Sequence, residues 1–323
     1  MDWNENTVPN QAQIDLIVST ELGSNGARYQ HLDVLEQLNH IDNPLFISLS
    51  SRERCFANIT LCQRPQGLYL RYFCFQAAFQ SRSGTKAVPK DSQLRTKIKE
   101  HLQELITRKG QPIYGFIEDA NIRSQKMAEF FGFKEVGALL TYHFFRLNPK
   151  KSVQFTPLNR GEAQSYIKDY YGKHPMYFEN EASGSFYAWT CGGKIKYIAR
   201  FHTATWKVLS LQGNFARKFL KALPYIPLLN RVIQPDKHRF IAMDSFVSLM
   251  GVESDIHNFM SSALAHFNSK HLMYWEDVNT TNGVSRVVRW GWLNRLLGKN
   301  RIKIMVKGQA PKLPIYIDAM DLI

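Results

Sequence analysis

Two four-residue signatures, 158 positions apart, constrain this chain more than any other feature. Glu118-Asp119-Ala120-Asn121 closes the apolar run PIYGFI, and Glu276-Asp277-Val278-Asn279 closes the run HLMYW. Upstream of the first, Leu94, Ile98, Leu102 and Leu105 fall at helix spacing. Ile256, Met260, Leu264 and Phe267 repeat the same steps upstream of the second. Residues three and four apart share one helix face, so each set predicts a long amphipathic helix. Downstream, each signature leads to a helix-like stretch ending in Gly-aromatic, Gly132-Phe133 and Gly291-Trp292. A β-like run follows, ALLTYHFFRL in one copy and RIKIMVKG in the other. The expectation is two copies of one α/β unit, since solenoid repeats are far shorter.

The length of 323 residues suits two domains. The boundary falls at Leu147-Asn148-Pro149-Lys150-Lys151-Ser152, giving an N-terminal unit of residues 1–149 and a C-terminal unit of 150–323. No apolar run is long enough for a membrane span, and the polar N-terminus MDWNENTVPN lacks a secretory core. Cys55, Cys62, Cys74 and Cys191 fit neither a zinc site nor a disulfide framework, which points to reduced thiols in a cytoplasmic protein. The histidines show no metal-ligand spacing. Charge is lopsided: 17 Lys and Arg face 15 Asp and Glu in residues 1–149, but 24 face 12 in 150–323. That excess suits a nucleotide-bearing cofactor, a nucleic acid, an anionic membrane surface, or a plainly solvated basic face.

Along the chain, residues 12–19 read as a strand or a helix start, and Tyr29 to Asn39 reads as a helix with Leu32, Leu35 and Leu38 on one face. Pro44 to Leu49, Phe56 to Cys62 and Leu68 to Phe79 read as strands. Gln80 to Pro89 is a polar loop, and Ser92 to Ile106 is a helix. In the second half, Arg160 to Tyr171 reads as a helix. Ser185 to Thr190 and Ile195 to Phe201 form a hairpin around Gly192-Gly193, Trp206 to Leu211 makes a further strand, and Phe240 to Phe246 is central. Asn214 to Asn230 is a basic amphipathic insert with no counterpart in the first half. It is read as a surface helix packed by Phe215, Phe219, Leu220 and Leu223, or as a cradle in which Arg217, Lys218 and Lys221 meet an anion or a membrane.

The order of elements, with Asn121, Ser124 and then Gly132-Phe133 at their spacing, resembles the GNAT N-acetyltransferase superfamily in a tandem two-domain form. N-myristoyltransferase-like and Fem-type folds share that arrangement. The resemblance implies two tandem GNAT-like domains of α/β (α+β) class, each a mixed central sheet flanked by helices. It further implies acyl transfer from acetyl-CoA or another acyl-CoA to a small-molecule or peptide amine. Pantetheine would pair with splayed strands at Tyr72 to Phe79, including Phe73 and Phe75, and Ile113 to Glu118. Phosphate would rest on Arg82, Ser83, Gly84, Thr85 and Lys86, with Asn121 and Ser124 opening the next helix. Two departures stand out. The phosphate loop from Gln80 is one residue too long and lacks the second Gly, and Ala128 occupies the place of the usual Tyr acid. Glu118 is the candidate base, weighed against helix capping by the Glu-Asp pair; Tyr142, Tyr114 and His143 are weaker candidates. The second half, with the short loop Val247 to Gly251, reads as a degenerate copy that shapes the acceptor side. A binding-only scaffold is the first alternative. A basic RNA- or tRNA-binding protein ranks last, because no nucleic-acid motif is present. Oligomeric state is not legible.

Overall fold

The computed structural model describes residues 2–23, 28–51, 54–76, 93–180, 184–210, 220, 223–226, 230–252, 255–280, 283–291, 294 and 300–323. The first half contributes β1 (Asp2–Asn6), α1 (Gln11–Val18), β2 (Leu22–Gly23), β3 (Arg28–His31), α2 (Val34–Leu38), β4 (Pro44–Ser51), β5 (Arg54–Arg64), β6 (Gly67–Phe75), α3 (Gln93–Lys109), β7 (Ile113–Glu118), α4 (Ile122–Phe130) and β8 (Lys134–Phe145). The second half contributes β9 (Phe155–Pro157), α5 (Arg160–Tyr171), β10 (Ser185–Cys191), β11 (Lys194–Ser210), β12 (His238–Ser248), α6 (Ile256–His266), β13 (His271–Asp277), α7 (Val284–Val287) and β14 (Arg301–Lys307).

All of these strands join one 14-stranded sheet in the order β1-β4-β5-β6-β7-β14-β8-β13-β12-β11-β10-β9, with β3 attached to β11 and β2 to β3. Read from its two ends, this order pairs β1 with β9, β4 with β10, β5 with β11, β6 with β12, β7 with β13 and β14 with β8. The sheet therefore repeats as the signatures predict. Its two parallel contacts, β6–β7 and β12–β13, fall at matching places. The halves are not separate bodies, however. β8 pairs with β13 of the other half over seven positions, and β14 lies between β7 and β8. Each half lends its last strand to its sibling.

The amphipathic spacing is borne out. Leu94, Ile98, Leu102 and Leu105 of α3 pack on β4 to β6, and Ile256, Met260 and Leu264 of α6 pack on the second half. Period-2 alternation sends neighbouring residues to opposite faces: Leu140 and Tyr142 meet the α6 core, while Leu139 meets a third cluster shared by both halves. That shared face is covered by residues 313–323, so the tail docks on the body.

One open local reading is settled and two change. Residues 11–18 are a helix, with a capping box between Asn10 and Gln13. Trp206 does not begin a new strand, because β11 runs unbroken to Ser210. Tyr29 to Asn39 is not one helix: Arg28–His31 is a strand, and Leu32 and Leu35 are 47% and 58% exposed. Pairing of His31 with Trp206 on β11 overrides the three-residue leucine spacing.

Candidate functional site

The site begins with a defect in the sheet. β6 and β7 pair only at Leu68–Ile113 and Tyr69–Tyr114, although the strands continue to Phe75 and Glu118. A bulge lies just past the last pair: Thr60 faces Tyr72 and Leu61 faces Leu70, leaving Arg71 unpaired. An extra residue bends its strand and re-aims side chains. Beyond the bulge the strands diverge around a cavity of about 210 Å³. On the α3/α4 side its wall is apolar, with Phe73, Met127, Phe131, Phe133 and Met305. On the other side it is aromatic and polar, with Tyr29, His31, Arg71, Glu118 and Asp321. Gly115 keeps the passage open, since a Cβ there would lie 3.3 Å from that of Leu70.

The sequence-derived candidates divide. Glu118, Phe73, Asn121 and Ser124 line the cavity, and so does Ala128. Phe75 packs against Phe73 at 4.8 Å without lining it. Tyr142 is not brought there. It is buried in the α6 core, stacked on Trp290 at 4.8 Å. Tyr114 accepts from Arg64 at 2.9 Å. His143 joins a buried chain of imidazoles, bonded to His271 at 3.0 Å, which meets His238 at 2.8 Å. Arg82, Ser83, Gly84, Thr85 and Lys86 lie outside the described residues, as do Phe215, Arg217, Lys218, Phe219, Lys221 and Trp292.

The two signatures do different jobs. In the first copy the cap is Asn121, whose Oδ1 accepts from Ser124 N at 3.1 Å. Asn121→Ala should therefore cost about 1 kcal/mol in a denaturant melt. Glu118 is left free of capping. Burial, offset in part by the neighbouring Tyr29 hydroxyl, raises its carboxyl to about 7. Tyr29 is itself raised well above its ordinary value, by burial and then by the charge of Glu118. In the second copy Glu276 lies against the start of α7, leaving no room at Gly283, where a Cβ would sit 2.0 Å from Oε1, and burial raises its carboxyl. Asp277 holds the tail through Ile315 N at 3.3 Å.

Tyr29, His31, Arg71 and the tail are the residues that sequence reasoning missed. The tail crosses both halves at their equivalent bulges. On β12 the bulge lies at Ser245, with φ 48, opposite the Ile198–Arg200 stretch. There Ser245 meets the Tyr316 hydroxyl at 2.8 Å, and Asp244 accepts from Ala319 N at 2.7 Å. At the β6 bulge Arg71 donates to Met320 O and Ile323 O. Arg64 grips both Asp321 oxygens at 2.6 Å, with its guanidinium 3.8 Å from the Phe178 ring centre. Such a two-pronged guanidinium–carboxylate contact fixes geometry as well as charge.

His202, Asp244 and Asp318 converge with potential ligand atoms within 4.8 Å. The cation among them is already Arg200, 2.7 Å from Asp244 and 2.9 Å from Asp318. Asn180 and Ala319 N take further carboxylate lone pairs. This is an ion-pair network that fastens the tail, and its donor set does not suit a metal.

No protein-family model and no curated protein matches the sequence. The fold does match solved structures. Saccharomyces cerevisiae N-myristoyltransferase with bound myristoyl-CoA aligns over 94% of this chain and 82% of its own, with a TM-score of 0.55 and 8% identity. A second structure of that protein with myristoyl-CoA gives a TM-score of 0.56 at 8% identity, over 94% and 78%. The chain thus shares the fold of these N-myristoyltransferase structures, one of the arrangements that the resemblance named. No helix among the described residues is long and apolar enough to cross a membrane.

Proposed function

From the fold shared with N-myristoyltransferase we propose that the chain is an acyl-CoA-dependent N-acyltransferase acting on an amine. The observation that carries the reading is the cavity between the splayed ends of β6 and β7, with Glu118 on its wall. Unpaired strand edges offer N–H and C=O groups to the amides of pantetheine, and a buried carboxylate near neutrality suits removal of a proton from the attacking amine. Tyr29, beside Glu118 and kept protonated by burial, takes the place of the acid that Ala128 lacks. The carbonyl carbon of the thioester is attacked by the amine nitrogen. The C–S bond breaks, the thiolate leaves, and the proton taken by Glu118 balances the one given to sulfur.

Further support comes from Arg95 and Arg123. They stand in the first turns of α3 and α4 and repel each other closely enough to lower the pKa of Arg95, after burial. Two neighbouring cations at helix N-termini suit the phosphates of coenzyme A. With the 82–86 loop, they make up the proposed phosphate site. Phe73, Asn121 and Ser124 would line the pantetheine path.

Acetyl is the expected acyl group. The apolar wall of Phe131, Phe133, Met127 and Met305 suits a longer hydrocarbon equally well. Calorimetric titration of CoA thioesters from acetyl to myristoyl, with thiol release measured alongside, tests the proposal. Micromolar binding should weaken roughly tenfold or more in Arg95→Glu/Arg123→Glu, about 1.4 kcal/mol per tenfold. Binding without thiol release for any amine would favour the scaffold reading that Ala128 supports. No binding at all would overturn the proposal.

A further inference from the structure

His31 is buried at 7% exposure, and neither ring nitrogen has a hydrogen-bond partner. An imidazole shut away in this state bears the full desolvation cost of its unmet polar groups unless something else completes it. The ring is nevertheless well held. It lies 5.3 Å from Trp206 and 5.6 Å from Tyr29, tilted by only 5° and 13°. Stacking fixes the plane and leaves both nitrogens unused. Gln37, beside it, favours protonation of the ring, but is committed elsewhere: its Nε2 donates to Asp33 at 2.9 Å, and its Oε1 accepts from Arg71 at 3.2 Å.

His31 lines the same cavity as Glu118, on the side away from the α3/α4 wall. The two are linked through Tyr29, which stacks on His31 and sets its hydroxyl beside Glu118. β3 carries His31 across to β11, so the residue sits where the halves meet. Burial, and then the neighbouring Arg71, lower its pKa to about 3. The ring is neutral at ordinary pH and offers one N–H and one lone pair.

We propose that His31 is the acceptor-recognition residue, binding an amide or hydroxyl group carried close to the reacting amine. The inference rests on the acyltransferase reading. An amine bearing such a group fills the unmet valence of the ring while its nitrogen faces Glu118. A plain alkylamine of the same length leaves His31 unpaired and is disfavoured, because sites with unmet polar groups discriminate strongly.

The test uses the full chain with acetyl-CoA and octanoyl-CoA, and glycinamide and n-propylamine as matched acceptor probes. The wild type should prefer glycinamide by roughly tenfold or more in kcat/KM. His31→Phe keeps the stack on Trp206 and removes both nitrogens. It should raise KM for glycinamide roughly tenfold more than KM for n-propylamine, erasing the preference between the two. His31→Gln should recover part of the preference. Independently, ¹⁵N spectra of histidine-labelled protein should show the His31 nitrogens shifting on addition of glycinamide but not n-propylamine. If CoA binds, yet the nitrogens stay put and His31→Phe leaves the preference intact, this assignment is overturned while the acyltransferase reading stands. Loss of CoA binding in the wild type overturns both.

Discussion

Glu118→Gln should lower kcat for amine acylation by roughly 10²–10⁴-fold, the usual contribution of a positioned base. The substitution is isosteric and keeps an oxygen for the Tyr29 hydroxyl, so CoA affinity should be preserved. Two further readouts separate catalysis from support. With the carboxyl at about 7, wild-type kcat/KM should climb as pH rises through 7, and the variant should lose that limb. Stability should move the other way. The folded carboxyl titrates above its unfolded value of 4.5, so between 4.5 and about 7 the native state binds more protons than the unfolded chain. Its contribution to stability therefore falls as pH rises across that window. The Gln variant, carrying no charge to bury, should be at least as stable as wild type at pH 8. A variant that melts early at pH 8, or that retains the alkaline limb, would assign Glu118 to structure.

The largest loss of stability is expected from Arg200→Met. The guanidinium is 1% exposed and joins Asp244 to Asp318. Burial opposes its charge, yet the two carboxylates hold its pKa well above the ordinary value; burial likewise opposes charge on Asp244, which Arg200 and then His202 hold well below. Removing one partner of a buried ion pair leaves uncompensated charge and costs about 3–5 kcal/mol. Urea melts of Arg200→Met should show a loss of that size. Hydrogen exchange should place the early opening in residues 315–320. Adding Asp244→Asn and Asp318→Asn should restore part of the loss, because it is the stranded carboxylates that carry the cost. The depressed Asp244 also gives the wild type stability that is present above pH 4 and lost in acid as its carboxylate protonates. If the triple variant is no better than Arg200→Met, packing around the arginine stem is the cause instead.

The legible part of this molecule was its repetition. Helix faces such as Leu94–Ile98–Leu102–Leu105 and the turns at Gly110 and Gly192-Gly193 are local properties, and the EDxN signatures mark strand ends in both halves. Glu118 was readable because alternation on β7 turns it inward. What escaped depends on distant partners. Tyr29 and His31 carry no strand signal until β11 lies beside them, and leucines three apart imitate a helix. Arg71 looks like any strand arginine until the bulge turns it toward residues 320 and 323, some 250 positions away. Tyr142 was a fair guess from its type, but its place on β8 sends it into the α6 core.

The exchange of β8 and β14 sets the order in which the molecule can be born. A chain emerging from the ribosome completes β6 and β7 early, but the strand that seals β7 is Arg301–Lys307, and the tail that walls the cavity follows it. Until residues 301–323 are released, the first half has an open flank and its cavity lacks that wall. Cutting the chain at the apparent boundary near residue 149 yields two fragments that each need the other's closing strand.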